Sequence, residues 1–366
     1  MAEYTINRAK KYIKKYIKEN VSVLLLGAPG VGKTYGVFEV GEEMAQELGL
    51  KGISIDTVKP DYYNILDFRA GQREYSDIKG LPYPNKNCVE WLMPKEFEQI
   101  KEGTYGTIFF DEITQANPEV QNALFQLIHD KRLGNFVLPK TWSIVAAGNR
   151  TEDKSNVTPL GMALNNRFQH LTITTNLDAF TNWGLKNGIK LEVIGFLKFK
   201  PDYLHKLENH KFPAYPTPRS WHRASDLLDG LNLEKKEDIE EAYEIMCQTI
   251  GDGVAMEWKA YQELTRKIDV DDILNNPTKA KQLIEISEKY SLVTAVVNRY
   301  KNNKERKKEL ELTNKVCKLC FELEDEFATF LMKLLVETQP KFADNLAKSE
   351  YRKEMTEKYL KYFNFD

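Results

Sequence analysis

The sequence predicts an α/β first half followed by an all-helical second half. Between residues 21 and 175, short continuous apolar runs alternate with helical patterns, the order expected of a parallel sheet covered on both faces. A glycine-rich loop joins one such run directly to one such helix, and strand signals stop after residue 176.

Residues 1–20 read as an amphipathic helix, with Ile6, Ala9, Ile13 and Ile17 on one stripe and Lys10, Lys11, Lys14, Lys15 and Lys18 over much of the rest. Such a helix is expected to dock on the next domain and leave its basic face in water; the alternative is an arm for phosphate groups or a membrane surface. VSVLLLG, GISIDTV, TIFFDEI and WSIVAAGN read as buried strands, because their hydrophobicity is continuous rather than alternating. Residues 35–48 and 118–132 read as the helices between them. Further on, 177–188, 191–199, 220–231, 236–250 and 255–265 read as helices, with a breaker-rich segment at 211–218. After Asn275-Asn276-Pro277 come more helices, highly charged over 302–311, and an aromatic tail, YLKYFNFD.

Composition narrows the class. The chain has 366 residues, 42% hydrophobic and 29% charged, which suits two or three globular domains. Its apolar runs fall far short of the ~20 residues that cross a bilayer. A net charge of −2 excludes a globally basic nucleic-acid binder. Four cysteines make no disulfide framework, and the basic amino terminus lacks the apolar stretch of a secretory signal. The expectation is a cytoplasmic protein with no membrane association.

Gly27-Ala28-Pro29-Gly30-Val31-Gly32-Lys33-Thr34 fits GxxxxGK[ST] at every position and lies between a strand and a helix that opens near Tyr35. Glycines let the backbone curl so that successive N–H groups face a phosphate chain, and the helix adds the positive end of its dipole. Lys33 is expected to reach the β- and γ-phosphates and Thr34 to give its hydroxyl to Mg²⁺. The run Ile108-Phe109-Phe110-Asp111-Glu112 is an apolar strand ending in two acids. It places Asp111 near the metal and Glu112 where it can polarise an attacking water. The predicted cofactors are ATP and Mg²⁺.

These motifs resemble the AAA+ ATPases. By that resemblance Asn149, at the tip of Val145-Ala146-Ala147-Gly148-Asn149, is similar to sensor 1, which reads the γ-phosphate. Arg167 in Leu164-Asn165-Asn166-Arg167-Phe168 is similar to the arginine finger that enters the neighbouring subunit's site. Arg219 in Pro216-Thr217-Pro218-Arg219-Ser220-Trp221 is similar to the sensor 2 arginine of a helical lid. Within the superfamily, the segments DIKGLP (77–82), LGNFVLP (133–139), GNRTED (148–153) and TPRSW (217–221) resemble the MoxR-like ATPases, near the magnesium/cobalt chelatase ATPase subunits.

After the basic helix at 1–20, the resemblance implies a P-loop NTPase core at 21–175, with inserts at about 69–91 and 132–142. A helical lid at 176–270 and a helical extension at 271–366 would follow. It also implies a hexameric ring, with a von Willebrand factor A-domain protein or another protein client as partner. Tyr75, Tyr83, Trp91 and Phe136 fall on the two inserts, where they are either client-contacting aromatics or ordinary packing. The chain has no NKxD guanine motif, which favours ATP, although a GTP-using relative stays open.

The lysine-rich start and the run 301–308 motivate a second reading, a nucleic-acid-linked or defence-associated motor; a third is a scaffold that nucleotide merely stabilises. Arg150 and Arg223 are further candidates, not adopted. Cys317 and Cys320 have CxxC spacing but lie on a helical pattern, so core packing is expected, and the histidines show no zinc-ligand spacing.

Overall fold

A computed structural model describes residues 2–153, 157–207, 213–303 and 308–359. Parts of the breaker segment 211–218 and of the run 301–308, and the tail after Tyr359, lie outside these residues. The chain divides into two compact units, Met1–Asn176 and Leu177–Asp366.

The first unit runs β1 (Glu3–Tyr4), α1 (Ile6–Lys18), β2 (Val23–Leu26), α2 (Lys33–Glu47), β3 (Ile53–Ile55), β4 (Tyr63–Arg69), α3 (Tyr75–Lys79), β5 (Leu81–Asn85), β6 (Cys88–Leu92) and α4 (Lys95–Glu98). It continues through β7 (Tyr105–Asp111), α5 (Pro118–Asp130), β8 (Arg132–Leu133), β9 (Phe136–Val137), β10 (Trp142–Gly148), α6 (Met162–Asn165) and β11 (Gln169–Ile173). Seven strands form one sheet in the order β1-β11-β2-β10-β7-β4-β3, and every neighbouring pair is parallel. Alternation along β7 divides the core. Ile108 and Phe110 pack with Val120, Leu124 and Leu127 of α5, while the Phe109 ring meets Phe38 of α2 at 6.5 Å.

Three of these strands are illegible as apolar runs. In β4 a polar residue, Asn64, is fully buried because its side-chain amide is satisfied locally. It donates to the carbonyls of Lys59, Tyr62 and Tyr105 and accepts from the Lys59 N–H. β11 opens with two polar residues and carries a third, Thr172, between Leu171 and Ile173, and β1 has only two residues. The segment 69–91 holds the end of β4, α3 and most of the hairpin β5–β6, and 132–142 holds the hairpin β8–β9, with Trp142 belonging to the central strand β10.

The amino-terminal helix starts at Ile6, where Thr5 caps it by accepting from the Arg8 N–H. Its buried stripe centres on Ala9 and Ile13. The basic face is not uniformly solvated. Lys10 pairs with Glu39 at 3.0 Å, Lys14 with Glu43 at 3.0 Å and Glu47 at 2.7 Å, and Lys18 with Glu47 at 2.6 Å, so α1 is laced to α2. Lys11 and Lys15 remain exposed.

The second unit comprises α7 (Leu177–Lys186), α8 (Leu191–Phe199), α9 (Pro218–Leu227), α10 (Lys236–Ile250), α11 (Asp252–Lys267), α12 (Val270–Asn275), α13 (Ile286–Lys301), α14 (Glu309–Glu322), α15 (Asp325–Thr338), α16 (Pro340–Lys348) and α17 (Arg352–Tyr359). One buried cluster runs from Phe180 to Tyr359 and includes Trp221, Trp258, Cys317 and Cys320. Burial pushes the Cys317 thiol up to about 11, so it is an inert packing group at neutral pH. No helix among the described residues is long and apolar enough to cross a membrane.

Buried area, not the lysine lacing, is expected to hold α1 in place. Ile13→Ala should lower the unfolding free energy by about 2–5 kcal/mol in a urea titration. Lys14→Ala should cost a small fraction of that, because ion pairs this exposed are weak.

Candidate functional site

The site is assembled where β2, β10 and β7 end side by side. Leu26 pairs with Gly148, and Ala146 with Phe110, so the loop after β2, Asn149 after β10, and Asp111 closing β7 share one edge of the sheet. The Gly27 N–H donates to the Gly148 carbonyl at 3.3 Å. A Cβ on Gly27 would lie 2.5 Å from the Ile173 carbonyl oxygen of β11, so no side chain fits there. Gly30 and Gly32 have φ of 78° and 93°, left-handed conformations that glycine adopts without steric cost. Gly32 starts α2, a helix long enough to present its N-terminal dipole to an anion.

Lys33 is buried, and its ammonium group donates to the carbonyls of Gly27 at 2.6 Å and Ala28 at 3.0 Å and to Asn149 Oδ1 at 3.1 Å. The Thr34 hydroxyl donates to Asp111 Oδ2 at 2.8 Å. The other Asp111 oxygen accepts from the Glu112 N–H at 2.9 Å. A hydroxyl and a carboxylate this close form the hard oxygen pair that suits Mg²⁺ beside a phosphate chain. Glu112 sits at φ 55° and ψ 31°, a left-handed conformation that costs a non-glycine residue on the order of 1–3 kcal/mol and tends to persist where function maintains it. Tyr35 is exposed on the first turn of α2.

Asn149, Glu112, Asp111, Thr34 and Lys33 are thus linked or adjacent at one place. Arg167 lies in the same unit just beyond α6, exposed, its guanidinium 5.9 Å over the Phe125 ring. Arg219 belongs to the second unit. It is the second residue of α9 and exposed, with the helix start held by a reciprocal Thr217–Ser220 capping box.

Sequence reasoning named Arg150 without adopting it, and missed its partner Asp153 as well as Thr114 and Asp67. Arg150 forms a forked pair with Asp153, its Nη2 2.8 Å from Oδ1 and its Nε 3.1 Å from Oδ2, and the Arg150 N–H also reaches Asp153. The three-residue spacing was the signal available in sequence. Thr114 accepts from the Asn149 N–H at 3.0 Å. On β4, Asp67 has an oxygen without a hydrogen-bond partner among the described residues. Desolvation first, and then the Asp111 charge, raise its carboxyl to about 6.

Residues 22–168 match the profile of the AAA domain, dynein-related subfamily. Over this segment, about two fifths of the chain, the protein is similar to AAA domains. The structure accordingly has an AAA+ fold, a parallel sheet with its phosphate loop followed by a helical unit. No curated protein matches the chain. Among solved structures, NtrX from Brucella abortus with ADP is 11% identical and aligns over 73% of this chain and 65% of its own, with a TM-score of 0.34. NtrX with ATP is 12% identical over 73% and 64%, TM-score 0.35. A Cytophaga hutchinsonii protein provisionally assigned as an ATPase is 21% identical over 45% and 46%, TM-score 0.30. The chain therefore spans about half to two thirds of the length of these structures, and the superpositions are too loose to carry function.

The raised Asp67 carboxyl sets a pH dependence for the first unit. Its unfolded value is near 3.8 and its folded value about 6, so the folded state binds the proton more tightly. The stability linked to that proton is complete below the unfolded value and is lost as pH rises through 6. With divalent cations chelated, Asp67→Asn should raise the melting temperature at pH 7.5 and leave it nearly unchanged at pH 4. Equal shifts at both values would contradict this assignment.

Proposed function

We propose that the chain is an ATP-hydrolysing, ring-forming motor of the MoxR-like type that remodels, matures or loads a partner protein. The observation that carries the hydrolytic part is the convergence of Lys33, Thr34, Asp111, Glu112 and Asn149 at one edge of the sheet. Lys33 neutralises phosphate charge, and the turned loop offers backbone N–H groups to the same anion. Thr34 and Asp111 would hold Mg²⁺, which when bound supplies further charge neutralisation on the phosphates. Glu112 accepts a proton from the attacking water while Asn149, oriented by its contact to Lys33, fixes the position of that water or of the terminal phosphate.

The order of motifs supports the ring. The exposed position of Arg167 suits a group offered to a neighbouring subunit, where it would offset charge developing in the transition state. A contact in which one subunit completes the next is heterologous and closes into a ring. Arg219, heading α9, would couple phosphate loss to the helical unit. The MoxR-like segments support a protein client, with a von Willebrand factor A-domain protein as the expected partner. Lys10, Lys14 and Lys18 are engaged by acids of α2, which weakens the nucleic-acid reading that rested partly on them.

Turnover per subunit should rise with protein concentration and saturate. Glu112→Gln should lower kcat by about 10²–10⁴-fold while nucleotide still binds, and Arg167→Ala should lower it by about 10³-fold. Lys33→Ala and Arg167→Ala proteins, each inactive alone, should recover turnover when mixed, because a mixed ring contains some intact shared sites. Turnover that is independent of concentration, with no recovery on mixing, would overturn the ring.

A further inference from the structure

We propose that Thr114 is a positioning residue for hydrolysis, a latch that sets Asn149 through its backbone. The inference rests on the hydrolytic reading above. Asn149 stands one residue past the end of β10, where no ladder partner fixes it, yet its side chain meets the Lys33 ammonium group at 3.1 Å. What fixes its backbone is the Thr114 hydroxyl, 3.0 Å from the Asn149 N–H. Thr114 is itself buried. It lies in the short 3-10 turn Ile113–Gln115 that follows the strained Glu112, and its carbonyl accepts from the Thr158 N–H at 2.7 Å. The Thr158 carbonyl is in turn held by the buried Gln121 side-chain amide, at 3.3 Å.

The fit at Gly148 points the same way. A Cβ there would come within 2.5 Å of Thr114 Cγ2 and 2.7 Å of its Oγ1. The end of β10 therefore packs directly against Thr114, which joins the strand tip carrying Asn149 to the turn carrying Glu112. The hydroxyl supplies the direction and the methyl group supplies the contact. Valine keeps the contact and loses the acceptor, while serine does the reverse.

The test is steady-state ATP turnover of Thr114→Val and Thr114→Ser beside the wild-type chain. Thr114→Val should lose about 10–100-fold in kcat with KM within about 2-fold, since a modest misplacement of a positioning group falls on the chemical step. Thr114→Ser should recover most of that loss. In an Asn149→Ala background, Thr114→Val should cost almost nothing more, whereas a merely structural role would cost the same in both. Wild-type-like kcat in Thr114→Val, a serine variant as poor as valine, or additive losses would each overturn the latch. Amide hydrogen exchange of the folded wild-type chain tests it without reference to turnover or to the folding of any variant. The Asn149 N–H should exchange at least about 10³-fold more slowly than in an unstructured peptide, and an unprotected amide would overturn the proposal. If wild type turned over no ATP while the Asn149 amide were protected, the hydrolytic reading would fail and the latch geometry would stand.

Discussion

Because β10 lies between β2 and β7, the ends of three parallel strands meet at one edge of the sheet. The Lys33 ammonium group ties the loop after β2 to the tip of β10, and the Thr34 hydroxyl ties the start of α2, directly after that loop, to Asp111 at the end of β7. The ammonium group is a buried cation with carbonyl oxygens from the loop after β2 on one side and the Asn149 amide oxygen on the other. A charge withdrawn from water holds its place only when its hydrogen bonds are met. The loop, the lysine and the tip of β10 are therefore mutually dependent. Gly27 belongs to the same constraint, since the approach of the Ile173 carbonyl leaves no room for a side chain where the loop departs from its strand.

Around that cation the sheet edge collects acids: Asp111 and Glu112 on the β7 side, with Asp67 on the adjacent strand. Desolvation first, and then the Asp111 charge beside it, push the Asp67 carboxyl up to about 6. Glu112 is held in a left-handed conformation immediately after Asp111. Negative charge and backbone strain stored at the same place are expected where a cation and a phosphate chain are to be received. The hydrogen bond of Thr114 links the turn after Glu112 to Asn149, and that of Asp153 holds the loop that follows Asn149.

The phosphate loop and the acidic strand end were legible because their chemistry demands particular residues at fixed spacing next to apolar strands. The central strands β2, β7 and β10 were legible for a simpler reason, being buried on both faces. β4 was not. Its Asn64 looks like an interruption until the neighbouring carbonyls that satisfy it are known, and those come from a turn and from another strand. Lysines 10, 14 and 18 read as a solvated face because their partners, Glu39, Glu43 and Glu47, are on a different helix. Thr114 had no signal at all, since a threonine three residues past an aspartate is unremarkable until the amide it meets is located.

The measurement that tests the central claim most directly is calorimetric titration of the full chain with a non-hydrolysable ATP analogue, with Mg²⁺ and then with chelator. The account predicts saturable binding at one site per chain, weakened when Mg²⁺ is removed. It also predicts that Lys33→Ala abolishes binding while the helical circular dichroism signal is retained. No binding to wild type, or undiminished binding to a folded Lys33→Ala variant, would contradict it.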